Sequence, residues 1–130
     1  MPGPPKASTF GGRTDIIIRR DGRNLFIGEC KFWSGPRGFT ATLDQLVSYE
    51  AWRDTKLAAL MFVRERGLTD IVQKGRETLA EHPQFVAWGT AASETELRAT
   101  VSWQGDTRRR ADLTVFFISD ADLVVMPTLV

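Results

Sequence analysis

The chain is 130 residues long and 42% hydrophobic, with 17 Lys and Arg against 16 Asp and Glu. That length fits one domain and that apolar share sustains a core, which excludes a disordered or low-complexity chain. A formal charge of +1 excludes a uniformly basic coat for nucleic acid, and one cysteine excludes an internal disulfide or a Cys-rich metal site.

Residues 1–12 are rich in Pro and Gly and read as a flexible arm or linker. A single domain is expected over 13–122, followed by a tail over 123–130 that is apolar but interrupted by Pro127. Runs of Ile, Leu and Phe predict strands at 13–20 and 24–33, separated by the turn signal Asp21-Gly22. Ser34-Gly35-Pro36-Arg37-Gly38 reads as a loop. Leu43, Leu46, Val47 and Ala51 recur at helical spacing and predict a helix over 40–54. The unbroken apolar run Leu57–Val63 predicts a central strand covered on both faces, and the order strand, helix, strand suggests a parallel neighbour. A second helix is expected over 69–81, ending at His82-Pro83 with His82 in solvent. Phe85–Trp88 reads as a short strand. Segments 96–103 and 111–118 read as a hairpin around 104–107, at a sheet edge or over the core. No apolar run approaches the ~18 residues of a membrane span. With no Lys/Arg-led apolar leader and a lone cysteine, a cytoplasmic location is expected.

The second strand ends Gly28-Glu29-Cys30-Lys31-Phe32-Trp33. Successive side chains alternate between faces, so Glu29 and Lys31 share a face with Leu25 and Ile27, and Cys30 takes the other as a small hydrophobe. An apolar strand face thus ends in a carboxylate and an ammonium, which is costly unless they are paired or bind a metal. Asp15 joins Glu29 only if the two strands pair with matching parity. A three-residue loop, Asp21-Gly22-Arg23, pairs Arg20 with Asn24 and Asp15 with Glu29. The commoner two-residue Asp-Gly turn would set the acids on opposite faces. An odd-length loop, or a bulge that restores the parity, is therefore expected.

Asp15, a spacer and then Glu29-x-Lys31 resembles the PD-(D/E)XK nuclease superfamily, whose fold is restriction-endonuclease-like. Gln45-x-x-x-Tyr49 resembles the accessory motif of its RecB-type branches, and the likeness spans about residues 13–63. It implies a mixed β-sheet flanked by helices, here with the usual N-terminal helix absent or reduced and an extra C-terminal β-hairpin. It further implies a metal-dependent nuclease cutting DNA, with Mg²⁺, or Mn²⁺ in its place, held by Asp15, Glu29 and the backbone carbonyl of Cys30. Lys31 would be the catalytic cation, and Gln45 and Tyr49, four apart on one helical face, would line the site. The missing helix points to a fragment of a longer protein or a family variant with a reduced start, and the expected protein partners are a larger parent chain or a second copy in a homodimer.

Other readings stand beside this one. On a solvated strand Glu29 and Lys31 would be a surface ion pair worth ~0–1 kcal/mol. A helical Tyr49 is commonly a packed aromatic. The fold could also serve as an inactive nucleic-acid-binding or protein-docking module, or as an oligomerisation unit anchored by Trp33, Trp52, Trp88 and Trp103. Arginine clusters at 19, 20 and 23 and at 108–110, and the cations Lys56, Arg64 and Arg66, are the local basic groups available to a nucleic acid.

Overall fold

A computed structural model of the chain describes residues 14–49 and 55–120, with residues 14, 15, 19, 20 and 23–25 described through their backbone. The expectations for 1–12, for Trp52 and for 123–130 lie outside the described residues, whereas the first helix, expected to run to 54, ends at Ser48 with Tyr49 already extended.

The described chain runs β1 (Thr14–Arg20), β2 (Arg23–Phe32), α1 (Pro36–Ser48), β3 (Lys56–Val63), α2 (Leu68–Glu81), β4 (Phe85–Trp88), β5 (Glu96–Trp103) and β6 (Asp106–Ser119). The strands form one mixed sheet in the order β1-β2-β3-β6-β5-β4. β2, β3 and β6 are mutually parallel; β1 pairs antiparallel with β2, β5 with β6, and β4 with β5. The α/β class with a mixed sheet and flanking helices therefore holds.

One face of the sheet makes the core. Ile27, Leu57, Ala59, Met61, Leu97, Ala99, Leu113, Val115 and Phe117 alternate along their strands and are buried with Phe39, Leu43, Leu46 and Val47 of α1 and Ile71, Val72 and Leu79 of α2. Apolar residues at period two on the strands meet apolar residues at helical spacing on the helices, which is what a two-layer arrangement requires. α1 and α2 also touch each other, so both lie on this side. The opposite face has no helix among the described residues, and it exposes Ile16, Ile18, Phe32 and Phe116. The expectation that β3 is covered on both faces holds only in part: Leu57, Ala59, Met61 and Val63 are buried on one side, while on the other Ala58 is buried and Leu60 and Phe62 are half-buried among the described residues.

α1 begins at Pro36, not at residue 40. Proline needs no N–H in the first helical turn and its φ is already helical, so the apparent breaker is a start signal. Gly35 ahead of it sits at φ 112. The hairpin of β5 and β6 forms, but β6 extends back to Asp106 and lies between β3 and β5 inside the sheet. It is neither an edge element nor a cover, and β4 takes the edge. Trp33 and Trp103 are core residues and Trp88 is partly exposed, with the Arg76 guanidinium 4.7 Å from its ring.

Close packing of α2 depends on Gly75. A Cβ built there would lie 2.5 Å from Phe117 Cζ, and the Phe117 ring is wedged against Trp33 and Phe39 at 5.9 and 6.0 Å. Gly75→Ala gains about 1 kcal/mol of helix propensity but overpacks a tight contact at a cost of about 1–3 kcal/mol. A net loss of stability is expected in urea unfolding, and a gain would contradict this packing.

Candidate functional site

The β1–β2 hairpin decides whether the acids meet. Asp21 and Gly22 both take positive φ, 53° and 75°, as a two-residue type I′ turn requires. The turn pairs Arg20 with Arg23 and Arg19 with Asn24. The three-residue loop with Arg20 opposite Asn24 is therefore not formed. Continued unchanged, that register would set Asp15 opposite Gly28. Instead it shifts between Ile18 and Arg19, so that Ile18 pairs with Phe26 and Leu25 is the extra residue. This β-bulge restores the parity, and Asp15 pairs with Glu29. Directly opposed Cα atoms in such a ladder are about 5 Å apart.

Glu29 lies on the helix-covered face, 1% exposed. Its neighbour across the ladder with β3 is Ala59, itself fully buried. Glu29 interacts with other groups of the protein in this buried position. Lys31, two residues on and so about 7 Å along the strand, shares this face and is half-buried. Cys30 is half-buried on the open face. β2 and β3 run parallel and in step, so Lys31 and Phe32 sit at the C-terminal end of the parallel strands beside Met61 and Phe62. Open α/β sheets place their ligand crevices at this end.

The other expected pair lies at the C-terminal end of α1. Gln45 Nε2 donates to Tyr49 Oη at 3.2 Å, although Tyr49 is the extended C-cap residue and not, as expected, on the same helical face. The Tyr49 backbone carbonyl accepts from Trp103 Nε1 at 2.7 Å, and its side chain packs against the core. Trp103 lies beyond Thr100, which pairs with Asp112 beside Lys56 at the start of β3. Tyr49 thus sits toward the N-terminal end of β3, whereas Glu29 pairs three residues into that strand. The structure joins Gln45, on the helix covering the face of Glu29 and Lys31, to Tyr49, the extended C-cap residue just past that helix.

Asp15, Glu29 and the Cys30 carbonyl offer only oxygen donors, the set a hard divalent cation prefers. Among the described residues no group of three or more His, Cys, Asp and Glu converges; the Asp15 side chain lies outside them.

His82 departs from expectation. It is buried, its Nδ1 accepts from the Gln84 N–H at 3.1 Å, and its Nε2 lies 2.7 Å from Asp44 Oδ1. With Nδ1 accepting, Nε2 carries the proton and donates. The imidazole thus ties the end of α2 to α1 across 38 residues. The His-Pro stop signal locates the helix end but says nothing of this contact.

Glu96 fastens the loop before β5. Its Oε2 accepts from the Ala92 N–H and from Arg98 Nε, both at 2.8 Å. The Ala92 hydrogen bond first, and Arg98 with it, hold the carboxyl below its ordinary 4.5 against the opposing effect of burial. A depressed folded pKa stabilises the fold fully above that ordinary value, and the contribution disappears as pH falls through the folded pKa. Urea midpoints of the wild type and Glu96→Gln should therefore converge on acidification below about 4.5. A constant difference from pH 7 to pH 3 would show that Glu96 does not supply this dependence.

Comparison with protein-family models, with curated proteins and with solved structures finds no match. No described helix is long and apolar enough to cross a membrane.

Proposed function

We propose that Asp15, Glu29 and Lys31 form the site of a metal-dependent nuclease that hydrolyses DNA phosphodiester bonds, within a restriction-endonuclease-like fold. The observation that carries this is the bulge-set register. It spends an irregularity in β1–β2 on pairing Asp15 with a buried Glu29, two residues before Lys31. A surface ion pair would need neither the burial nor the parity.

Asp15, Glu29 and the Cys30 carbonyl would hold Mg²⁺ or Mn²⁺. Bound there, the ion polarises a phosphodiester and lowers the pKa of a water. The strand register sets the backbone positions of Asp15 and Glu29 opposite each other before metal arrives, which lessens the ordering that binding requires. Lys31 orients the attacking water and offsets the negative charge that develops on phosphate oxygens. Burial under α1 limits water access and strengthens these interactions. Gln45 and Tyr49 act as a hydrogen-bonded pair at the end of that helix. The balanced charge of +1 accords with modest DNA affinity, and recruitment through a larger protein or system would supply the rest.

Calorimetric titration with Mg²⁺ and Mn²⁺ tests the site. Binding to the wild type and none to Glu29→Gln is the expected result. Equal binding by both proteins would place the metal elsewhere.

The charge balance also favours a second reading, a non-catalytic module for nucleic-acid binding or protein docking. Its signature is DNA or partner binding that survives Glu29→Gln, with no metal-dependent turnover.

A further inference from the structure

The open face of the sheet is aromatic where it meets the end of β2. Phe32 is 49% exposed and Phe116 37% exposed, and Phe62, paired with Phe32 across the parallel ladder, is half-buried. The Phe32 and Phe62 rings are tilted with centroids 6.0 Å apart. Phe116, beside Leu60, brings a third ring from the next strand. The guanidinium of Arg64, just past the end of β3, lies 4.0 Å from the centre of the Phe32 ring. A groove of about 660 Å³ continues along this face past Phe26, Leu60 and Phe116.

Rings on adjacent strands and an arginine at their end match the chemistry of unpaired nucleobases and their phosphates. Bases stack on aromatic faces whatever their identity, and an adjacent guanidinium adds cation–π and phosphate contacts. Duplex DNA hides its base faces and gains little from such a surface. Phe32 follows Lys31 directly, and the two project to opposite faces at the strand end. A single strand crossing this edge can thus set one phosphate beside Lys31 while the next base lies on Phe32.

We infer that Phe32, Phe62, Phe116 and Arg64 form a stacking platform for single-stranded DNA. The delivery of a phosphate to Lys31 rests on the nuclease reading above; the affinity for unpaired bases does not.

Fluorescence anisotropy with a labelled single strand, its duplex and an abasic strand of equal length tests this, with EDTA present to prevent turnover. The wild type should bind the single strand about tenfold or more tightly than either alternative. Phe32→Ala should lose about 5- to 100-fold for the single strand alone, and Phe32→Trp should retain affinity. Phe32 is half-exposed at a strand end, and far-UV circular dichroism checks that the truncated protein folds. Single-strand binding lost with the ring, in a protein that cuts nothing, would uphold the platform while the nuclease reading fails. Metal-dependent cutting that needs Lys31, with Phe32→Ala binding unchanged, would overturn the platform alone. Equal affinity for the abasic strand would overturn it too. So would self-association abolished by Phe32→Ala without single-strand binding, which would assign the face to a second copy.

Discussion

Lys31→Met is expected to slow metal-dependent cleavage by about 10²–10³-fold, the usual effect of removing one preorganised donor to developing negative charge. Lys31 and Glu29 share the covered face of β2, and Lys31 is half-buried rather than extended into solvent. A cation held there acts where screening is weaker than at the surface. Methionine keeps most of the length and apolar stem while deleting the charge, so packing against β3 survives. Mg²⁺ affinity should stay equal or rise, because a neighbouring positive charge disfavours a cation. Rates from single-turnover assays, set beside calorimetric affinities, separate the two effects. A parallel loss of metal binding would mean that the substitution has disturbed the strand rather than the chemistry.

Glu29→Gln should act on both quantities. The amide fills the same volume at a 1% exposed position but removes the formal charge that a divalent ion needs. Wild-type protein at a Mg²⁺ concentration 100 times Kd gains about 2.7 kcal/mol of stability by mass action; the variant should gain none. Cleavage should fall at least as far as in Lys31→Met. Thermal melts with and without Mg²⁺ give the first result, and cleavage assays the second. A metal-induced rise in Tm that persists in Glu29→Gln would remove Glu29 from the site.

What the sequence revealed and concealed follows from the range of each interaction. β2, β3, β4, β5 and α2 are legible because alternation, helical spacing and the Gly and Pro stops are local signals. The parity of Asp15 and Glu29 is legible as a constraint, but not its means. Asp21-Gly22 asks for a two-residue turn and Asp15–Glu29 asks for the other register, and the bulge at Leu25 satisfies both. Pro36 and Gly38 look like loop residues, yet one starts α1 and the other lies inside it. The insertion of β6 between β3 and β5 depends on pairing across more than fifty residues, as in Leu57 with Leu113. Among the described residues, the placement of both helices on one side of the sheet is hidden for a like reason. An unbroken run such as Leu57–Val63 reads the same whether its second face meets a helix or solvent, and only the placement of α1 and α2 decides. His82 and Asp44 meet through the packing of two helices, with no local pattern to announce it.

The most direct test of the nuclease site is nicking of supercoiled plasmid by wild type, Lys31→Met and Glu29→Gln under Mg²⁺, with EDTA as the control. Nicking by the wild type that needs Mg²⁺ and disappears in both variants is the predicted result. Nicking that continues unchanged in the variants, or a wild type that binds Mg²⁺ at Glu29 and DNA yet never cuts, would contradict it.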